Sequence, residues 1–124
     1  MSDKKLVLVI DDDPDIVSTV ETILTAEGFS VVTAMSGEEG IKAFSTNKPD
    51  LVLCDMMMER IDAGNKVANE IRKVDDKVPV YLMSSIGDAT ASNIDIDQLG
   101  FSGVFQKPIY PATLVSALKK TLGL

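Results

Sequence analysis

The chain has 124 residues, a formal net charge of −7, and 45% hydrophobic and 25% charged residues, so it fits one globular domain with its own core. The acidic balance and the scattered Lys and Arg residues argue against direct nucleic-acid binding, which needs clustered basic side chains. No apolar run approaches the roughly 20 residues of a membrane span. No histidine is present, which excludes His-ligated metal sites and His-based nucleophiles.

The N-terminus and the cysteine content bear on location. MSDKK lacks the apolar segment and small-residue cleavage site of a secretory signal. The single cysteine, Cys54, lies in a predicted strand and cannot form an internal disulfide. We interpret it as a small buried apolar residue rather than a reactive thiol. Both features favour a cytoplasmic protein.

The first third of the chain alternates between predicted strands and helices. The apolar run 6–10 predicts a strand covered on both faces. Asp13-Pro14 predicts a helix start, with an N-cap followed by proline at the first helical position, and Gly28 predicts its end. Residues 29–34 form a second predicted strand. The sequence 36–39, SGEE, resembles a capping box that opens a short second helix.

The rest of the chain follows the same alternation. Segment 88–98 is rich in Ser, Thr, Asn and Asp, so we expect only a weak or short helix there. Pro111 starts a last helix with leucines at helical spacing. Alternation of this kind predicts a parallel sheet with helices on both faces. The remaining predicted elements are a strand over 51–54, a helix over about 63–74, and strands over 80–83 and 104–106.

Polar residues follow most of the predicted strands. In open α/β sheets, ligands bind beyond the carboxyl ends of the strands. Any one polar residue at such a place is ordinary for a turn or helix cap, but a full set at one sheet edge predicts a site. The set consists of Asp11, Asp12, Asp55, Ser84, Ser85 and Lys107.

The residue types in this set favour phosphoryl chemistry. Two like charges about 4 Å apart repel by roughly 4 kcal/mol at an effective dielectric of 20, so Asp11, Asp12 and Asp55 call for a hard cation such as Mg²⁺. Lys107 supplies a positive charge for a phosphoryl oxygen, and a serine hydroxyl after the fourth strand can hydrogen-bond the same group. Asp55 stands alone on the central strand and is the predicted phosphoryl acceptor.

Four motifs extend this pattern over nearly the whole chain: VLVIDDD, LVLCDMMM, PVYLMSS and VFQKPI, in this order. Together they resemble the receiver domain of two-component response regulators. The resemblance implies an α/β fold, a single flavodoxin-like doubly wound (βα)5 domain with a parallel five-stranded sheet of order 2-1-3-4-5. It implies one receiver domain over residues 1–124, with no output domain.

The resemblance also implies a role for each site residue. Asp12 would bind Mg²⁺ directly and Asp11 largely through water, and Mn²⁺ would be a substitute ion. Asp55 would be both metal ligand and phosphoacceptor, and the backbone carbonyl of Met57 a further ligand. Asp13 would be only a helix cap. Ser84, favoured over Ser85, would be the switch hydroxyl, and Lys107 would bind phosphate. The bond between Lys107 and Pro108 is usually cis in the family. Phe105 would be the switch aromatic residue, and a simple core role is the alternative for it.

The chain departs from the family's usual pattern after Asp55. Glu59 replaces a common proline, and Gly64 falls one place later than the usual glycine, which predicts a reshaped loop and an altered partner specificity. Met57 and Ile86 occupy positions that position the hydrolytic water in relatives. Because both are apolar, we expect a long-lived acyl phosphate.

The resulting expectation is a stand-alone phosphorylation switch, either a final output or one station of a phosphorelay. Its partners would be a histidine kinase or histidine phosphotransfer protein and a downstream protein target. It would bind neither nucleic acid nor a membrane, and it would be a monomer or weak homodimer.

A Mg²⁺-dependent aspartyl phosphatase is a weaker hypothesis, because Met57 stands where such enzymes carry a second aspartate. A nucleotide or flavin module is disfavoured by the acidic first loop. An interaction module that is never phosphorylated is disfavoured by the complete set of acidic, serine and lysine residues.

Overall fold

A computed structural model of the chain describes residues 5–55, 70–71, 73, 77–85, 103–107 and 109–123. In the last two strands, the side chains of residues 84, 85, 104, 106 and 107 lie outside this description. Of the helix predicted over 63–74, Glu70, Ile71 and Lys73 are described, and all three are helical. The segment 88–98, predicted as a weak helix, lies outside the described residues.

The described strands form one parallel sheet in the order β2-β1-β3-β4-β5. The α/β architecture with a parallel sheet, predicted from the alternation of elements, is confirmed. Full helices after β3 and β4, which a (βα)5 arrangement requires, fall on residues outside the description. The strands are β1 (Leu6–Ile10), β2 (Ser30–Ala34), β3 (Leu51–Asp55), β4 (Val80–Ser85) and β5 (Gly103–Lys107).

Three helices are described in full: α1 (Pro14–Ala26), α2 (Gly37–Asn47) and α3 (Pro111–Leu122). The predicted cap of α1 is confirmed, since the Asp13 carboxylate accepts a hydrogen bond of 2.9 Å from the Asp15 N–H. Gly123 ends α3 at φ +73°, a left-handed conformation that favours glycine. Among the described helices, none has the length and apolarity to cross a bilayer.

The start of α2 follows the predicted capping box with one difference. Ser36 Oγ accepts a hydrogen bond of 3.1 Å from the Glu39 N–H, as the pattern predicts. The Glu39 carboxylate reaches back to the N–H of Met35, at 3.3 Å, one residue before the cap. Both bonds satisfy backbone donors at the junction of β2 and α2.

Two hydrophobic clusters cover the two faces of the sheet, because successive strand residues point to opposite sides. The cluster beneath α1 and α3 contains Val7, Val9, Leu51, Leu53, Met83 and Phe105, with Val20, Leu24, Leu114 and Leu118 from the helices. The cluster on the opposite face contains Leu8, Ile10, Val52, Cys54, Val80 and Leu82, with Phe44 from α2 and Ile71.

Three strands run further than the hydrophobic pattern predicts. Asp55, Ser84, Ser85 and Lys107 were expected directly after strands, but they are strand residues in the structure. Parallel pairing with the neighbouring strand carries the ladder past the last apolar residue, so the prediction of these ends was one or two residues short. The pairs concerned are Asp55 with Met83, Ser84 with Gln106, and Ser85 with Lys107.

Candidate functional site

Asp11 and Asp12 follow β1 directly, at the carboxyl edge of the sheet. The strand before them is fully buried from Val7 to Ile10, which fixes the backbone at the point where the two aspartates begin. The Asp11 N–H donates a hydrogen bond of 3.1 Å to the carbonyl of Ala34 on β2. Asp11 is 0% exposed, whereas Asp12 lies on the surface. The pair therefore offers one buried and one exposed carboxylate.

The Asp11 carboxylate is held by the start of α1. Its Oδ1 accepts a hydrogen bond of 2.9 Å from the Asp13 N–H, and its Oδ2 is also buried. Asp13 in turn caps the helix. The local turn thus sets the orientation of the buried carboxylate, and Asp13 acts as the helix cap that the sequence predicts.

Asp55 brings a third carboxylate to the same edge. It is the last residue of β3 and only 4% exposed. Ile10 and Cys54 are paired between β1 and β3, so Asp11 and Asp55 come next on neighbouring strands, which lie about 4.8 Å apart.

The three carboxylates converge. Asp11, Asp12 and Asp55 each offer one oxygen within 4.8 Å of the others. A set of carboxylate oxygens alone, without nitrogen or sulfur ligands, suits a hard divalent cation such as Mg²⁺. The residues present therefore fit a magnesium site, and the sequence-based prediction that these three aspartates lie together is confirmed by the geometry.

The negative field of this cluster reaches Cys54. Burial, followed by the charges of Asp55 and Asp11, raises the pKa of the Cys54 thiol from 9.0 to about 12. The thiol donates a weak hydrogen bond of 3.7 Å to the backbone carbonyl of Asp55. Cys54 is 0% exposed and stays a neutral thiol at physiological pH. Its interpretation as a buried apolar residue is supported.

The ends of β4 and β5 reach the same edge of the sheet. In the strand register, Ser84 pairs with Gln106 and Ser85 with Lys107. The side chains of Ser84, Ser85 and Lys107 are outside the described part of the chain, so their predicted roles stay predictions. The same holds for Met57, Glu59, Gly64, Ile86 and Pro108, which lie outside the described residues.

Phe105 packs inside the cluster beneath α1 and α3. It is 8% exposed and paired in register with Met83. Its ring lies 5.1 Å from that of Tyr81, tilted by 35°. The contact fits a core role, and the switch role expected from the resemblance remains a prediction.

Comparisons with known proteins agree with this geometry. The model of the response regulator receiver domain family matches residues 7–119. The chain belongs to this family. A putative response regulator from Chloroflexus aurantiacus has a similar structure, with a TM-score of 0.86 and 28% identity over 98% of this receiver and 99% of that chain.

Curated relatives of this receiver are longer proteins. It is 38% identical over 119 residues to a "probable transcriptional regulator ycf27" of Guillardia theta, covering 96% of this chain and 46% of the relative. It is 37% identical over 118 residues to the "transcriptional regulatory protein GlrR" of Escherichia coli, covering 93% of this chain and 26% of the relative. The chain thus spans less than half the length of either relative.

Receiver domains generally bind Mg²⁺ at an acidic pocket, and they interact with histidine kinases and downstream targets. The aspartate cluster of this receiver is a pocket of that kind.

The sequence analysis missed a link between β4 and α3. The Tyr81 hydroxyl shares a hydrogen bond with Thr121 Oγ1, across 40 residues of sequence. The alternation of strand faces places Tyr81 on the same side as Met83, which was a usable signal. Nothing in the local pattern identified Thr121 as its partner, because contacts this distant are set by the packing of α3 on the sheet.

Proposed function

We propose that this receiver is a phosphorylation-activated signalling switch. Asp55 accepts a phosphoryl group from a phosphohistidine on a histidine kinase or a histidine phosphotransfer protein. The observation that supports this most strongly is the convergence of the Asp11, Asp12 and Asp55 carboxylates within 4.8 Å, at the edge where open α/β sheets bind ligands. This sequence has no histidine, so the donor histidine lies outside it.

In the proposed transfer, a carboxylate oxygen of Asp55 attacks phosphorus and a new O–P bond forms. The bond between phosphorus and the donor imidazole nitrogen breaks, and its electron pair passes to that nitrogen. Asp55 is only 4% exposed, and Asp11, held by the Asp13 N–H, keeps a fixed place beside it at the carboxyl edge of the sheet.

The metal ligands in this proposal are Asp11, Asp12, Asp55 and the backbone carbonyl of Met57, with Mg²⁺ as the ion and Mn²⁺ as its substitute. Asp12 would bind the ion directly and Asp11 largely through water. The ion would supply positive charge that offsets the carboxylates and the phosphoryl oxygens. Of the three aspartates, Asp12 is the exposed one, so it lies at the side from which a hydrated ion enters.

The proposed switch consists of Ser84, Lys107 and Phe105. Lys107 and the Ser84 hydroxyl meet the new charge on Asp55, which favours the state in which the loop after β4 closes inward. Phe105 follows into the space that opens. The register of β4 and β5 pairs Ser84 with Gln106 and Ser85 with Lys107, which supports placing Ser84 and Lys107 at the same edge of the sheet.

The output that we propose is a protein contact through β5 and its flanking helices. In this proposal the receiver is a monomer or weak homodimer in the cytoplasm, and it does not itself bind nucleic acid because its net charge is −7. The longer transcriptional regulators among its relatives suggest that a receiver of this kind can also work as part of a transcriptional regulator. A relay station and a final output are both compatible with the site.

The proposal excludes a turnover enzyme. Aspartyl phosphatases need a second acid two residues after the nucleophile to transfer protons, and Met57 stands at that place. Met57 and Ile86 are apolar, so neither orients a hydrolytic water, and the acyl phosphate is long-lived.

The proposal is tested by locating the phosphoryl group. Phosphoramidate, a small donor with an N–P bond, is incubated with the chain and Mg²⁺, and hydroxylamine then converts any acyl phosphate to a hydroxamate. We expect peptide mass spectrometry to find the hydroxamate at Asp55. Asp13→Asn serves as the control because asparagine caps a helix as well as aspartate does. Modification at another residue, or none in a folded chain, contradicts the proposal.

A further inference from the structure

We propose that Gly40 on α2 is a positioning residue for the metal pair Asp11 and Asp12. Because Gly40 has no side chain, α2 packs directly on Ile10 and thereby fixes the end of β1 where the two aspartates begin. This inference rests on the proposed function, in which the pair binds Mg²⁺. Nothing in the sequence pattern of α2 singles out this role.

The evidence is the close contact between Gly40 and Ile10. A Cβ built on Gly40 would lie 2.4 Å from Cδ1, 2.8 Å from Cγ1 and 3.1 Å from Cγ2 of Ile10. Carbon atoms in packed interiors rest at about 3.5–4.0 Å. Ile10 is 0% exposed and β-branched, and it packs in one cluster with Phe44 and Cys54, so its side chain cannot turn away.

The position of Gly40 within the helix also calls for a reason. Glycine inside a helix is unfavourable relative to alanine because it loses more conformational freedom on folding. Gly40 is buried within α2 and is not among the residues with positive φ, so a special backbone conformation does not explain it. The close approach to Ile10 does.

Two routes connect this contact to the metal pair. Ile10 directly precedes Asp11 in the chain. In addition, the Asp11 N–H donates to the Ala34 carbonyl at 3.1 Å, and Ala34 lies two residues before Ser36, whose carbonyl accepts a 2.9 Å hydrogen bond from the Gly40 N–H. A side chain at Gly40 that pushes α2 outward would therefore displace Asp11 through both connections.

The test is a Mg²⁺ titration of the whole chain by calorimetry. Gly40→Ala is expected to raise the Mg²⁺ Kd about tenfold, the scale expected for overpacking a rigid core next to a site. The double variant Gly40→Ala with Ile10→Val conserves volume and removes Cδ1, the nearest of the three Ile10 carbons, while Cγ1 and Cγ2 remain close to the new Cβ. It is expected to recover part of the lost affinity, with a Kd between those of Gly40→Ala and wild type.

Gly103→Ala is the matched control. A Cβ there would lie 2.8 Å from Cε1 of Tyr81, and Gly103 is the first residue of β5, at the end of the strand away from the site. This variant is expected to lower the free energy of unfolding and leave the Mg²⁺ Kd unchanged. If Gly40→Ala is unfolded in buffer, all variants are titrated in sucrose, which favours the folded state.

The outcomes separate the two claims. A Gly40→Ala chain that binds Mg²⁺ as tightly as wild type, or no more weakly than Gly103→Ala, overturns the inference and leaves the proposed function standing. A double variant that recovers none of the lost affinity also overturns it, because removing Cδ1, the carbon nearest to the new Cβ, would then have no effect. A folded wild-type chain that binds no Mg²⁺ overturns the proposed function and the inference with it.

Discussion

Asp11 and Asp55 lie at the ends of neighbouring parallel strands with both side chains buried, at 0% and 4% exposure. One oxygen of each lies within 4.8 Å of the other and of Asp12. Repulsion between these like charges opposes folding, and burial strengthens it. In the proposed function a bound cation would offset this repulsion, so we expect Mg²⁺ to stabilise the folded chain.

The first prediction concerns this repulsion. Asp55→Asn is expected to raise the free energy of unfolding by about 2 kcal/mol in the presence of a chelator, since it removes one of three converging charges. The measurement is urea denaturation followed by circular dichroism. Glu21→Gln, the same carboxylate-to-amide change at an exposed residue of α1, is expected to alter stability by no more than about 0.5 kcal/mol.

Addition of Mg²⁺ should make wild type more stable than Asp55→Asn, the reverse of their order in the presence of a chelator. Wild type is expected to gain about 2.7 kcal/mol at a Mg²⁺ concentration one hundred times its Kd, while Asp55→Asn gains much less. Equal stabilisation of both chains would contradict the assignment of Asp55 as a ligand.

The second prediction follows from the raised pKa of Cys54. The unfolded thiol loses its proton near pH 9.0 and the folded thiol near 12, so the folded chain binds more protons between these values. Its contribution to stability is fully present below pH 9.0 and is lost as pH rises through about 12. We expect the free energy of unfolding to fall with a slope approaching about 1.4 kcal/mol per pH unit in this window.

Cys54→Ala removes the titrating group and provides the control. The difference in slope between wild type and Cys54→Ala, measured by urea denaturation from pH 8 to pH 11 in roughly unit steps, isolates the thiol from the other groups that titrate there. Identical slopes would show that neither burial nor the Asp55 and Asp11 charges raise the pKa of Cys54.

The third prediction uses Tyr81 as a reporter of Phe105. The chain has two tyrosines and no tryptophan, so Tyr110→Phe leaves Tyr81 as the single emitter. Its ring lies 5.1 Å from Phe105, and phosphorylation is expected to change its fluorescence if Phe105 moves.

In the same background, Ser84→Ala should still accept the phosphoryl group but show little change in Tyr81 emission, because the hydroxyl that draws the loop inward is missing. A full emission change in Ser84→Ala would show that the switch hydroxyl is wrongly assigned.

The fourth prediction concerns the lifetime of the acyl phosphate. Met57 and Ile86 cannot hold a water by hydrogen bonds, so loss of phosphate after donor removal in Mg²⁺ should be slow. Met57→Asn is expected to speed it, with Met58→Asn as the control beside it. A wild-type half-life of seconds would contradict the prediction.

Much of the fold could be predicted because local signals agree with it. Asp13-Pro14 and Ser36 mark helix starts that the structure confirms. Each apolar run that predicts a strand overlaps one of the five described strands. Strand ends were harder, since Asp55, Ser84 and Lys107 are held in their strands by pairing with neighbours that a local pattern does not reveal.

The site was predictable to a similar degree. Carboxyl ends of parallel strands meet at one edge, so Asp11, Asp12 and Asp55 were expected together, and they are. The Gly40–Ile10 contact and the Tyr81–Thr121 hydrogen bond were not predicted. Each depends on the distance between a helix and the sheet, which packing of the whole domain determines.

The most direct test of Asp55 as phosphoacceptor is the intact mass of the chain after incubation with acetyl phosphate, with and without Mg²⁺, for wild type and Asp55→Asn. We predict one added phosphoryl group on wild type, dependent on Mg²⁺ and absent from Asp55→Asn. A folded wild-type chain that gains no phosphoryl group from acetyl phosphate or from a panel of histidine kinases, or an Asp55→Asn chain that gains one as wild type does, would contradict it.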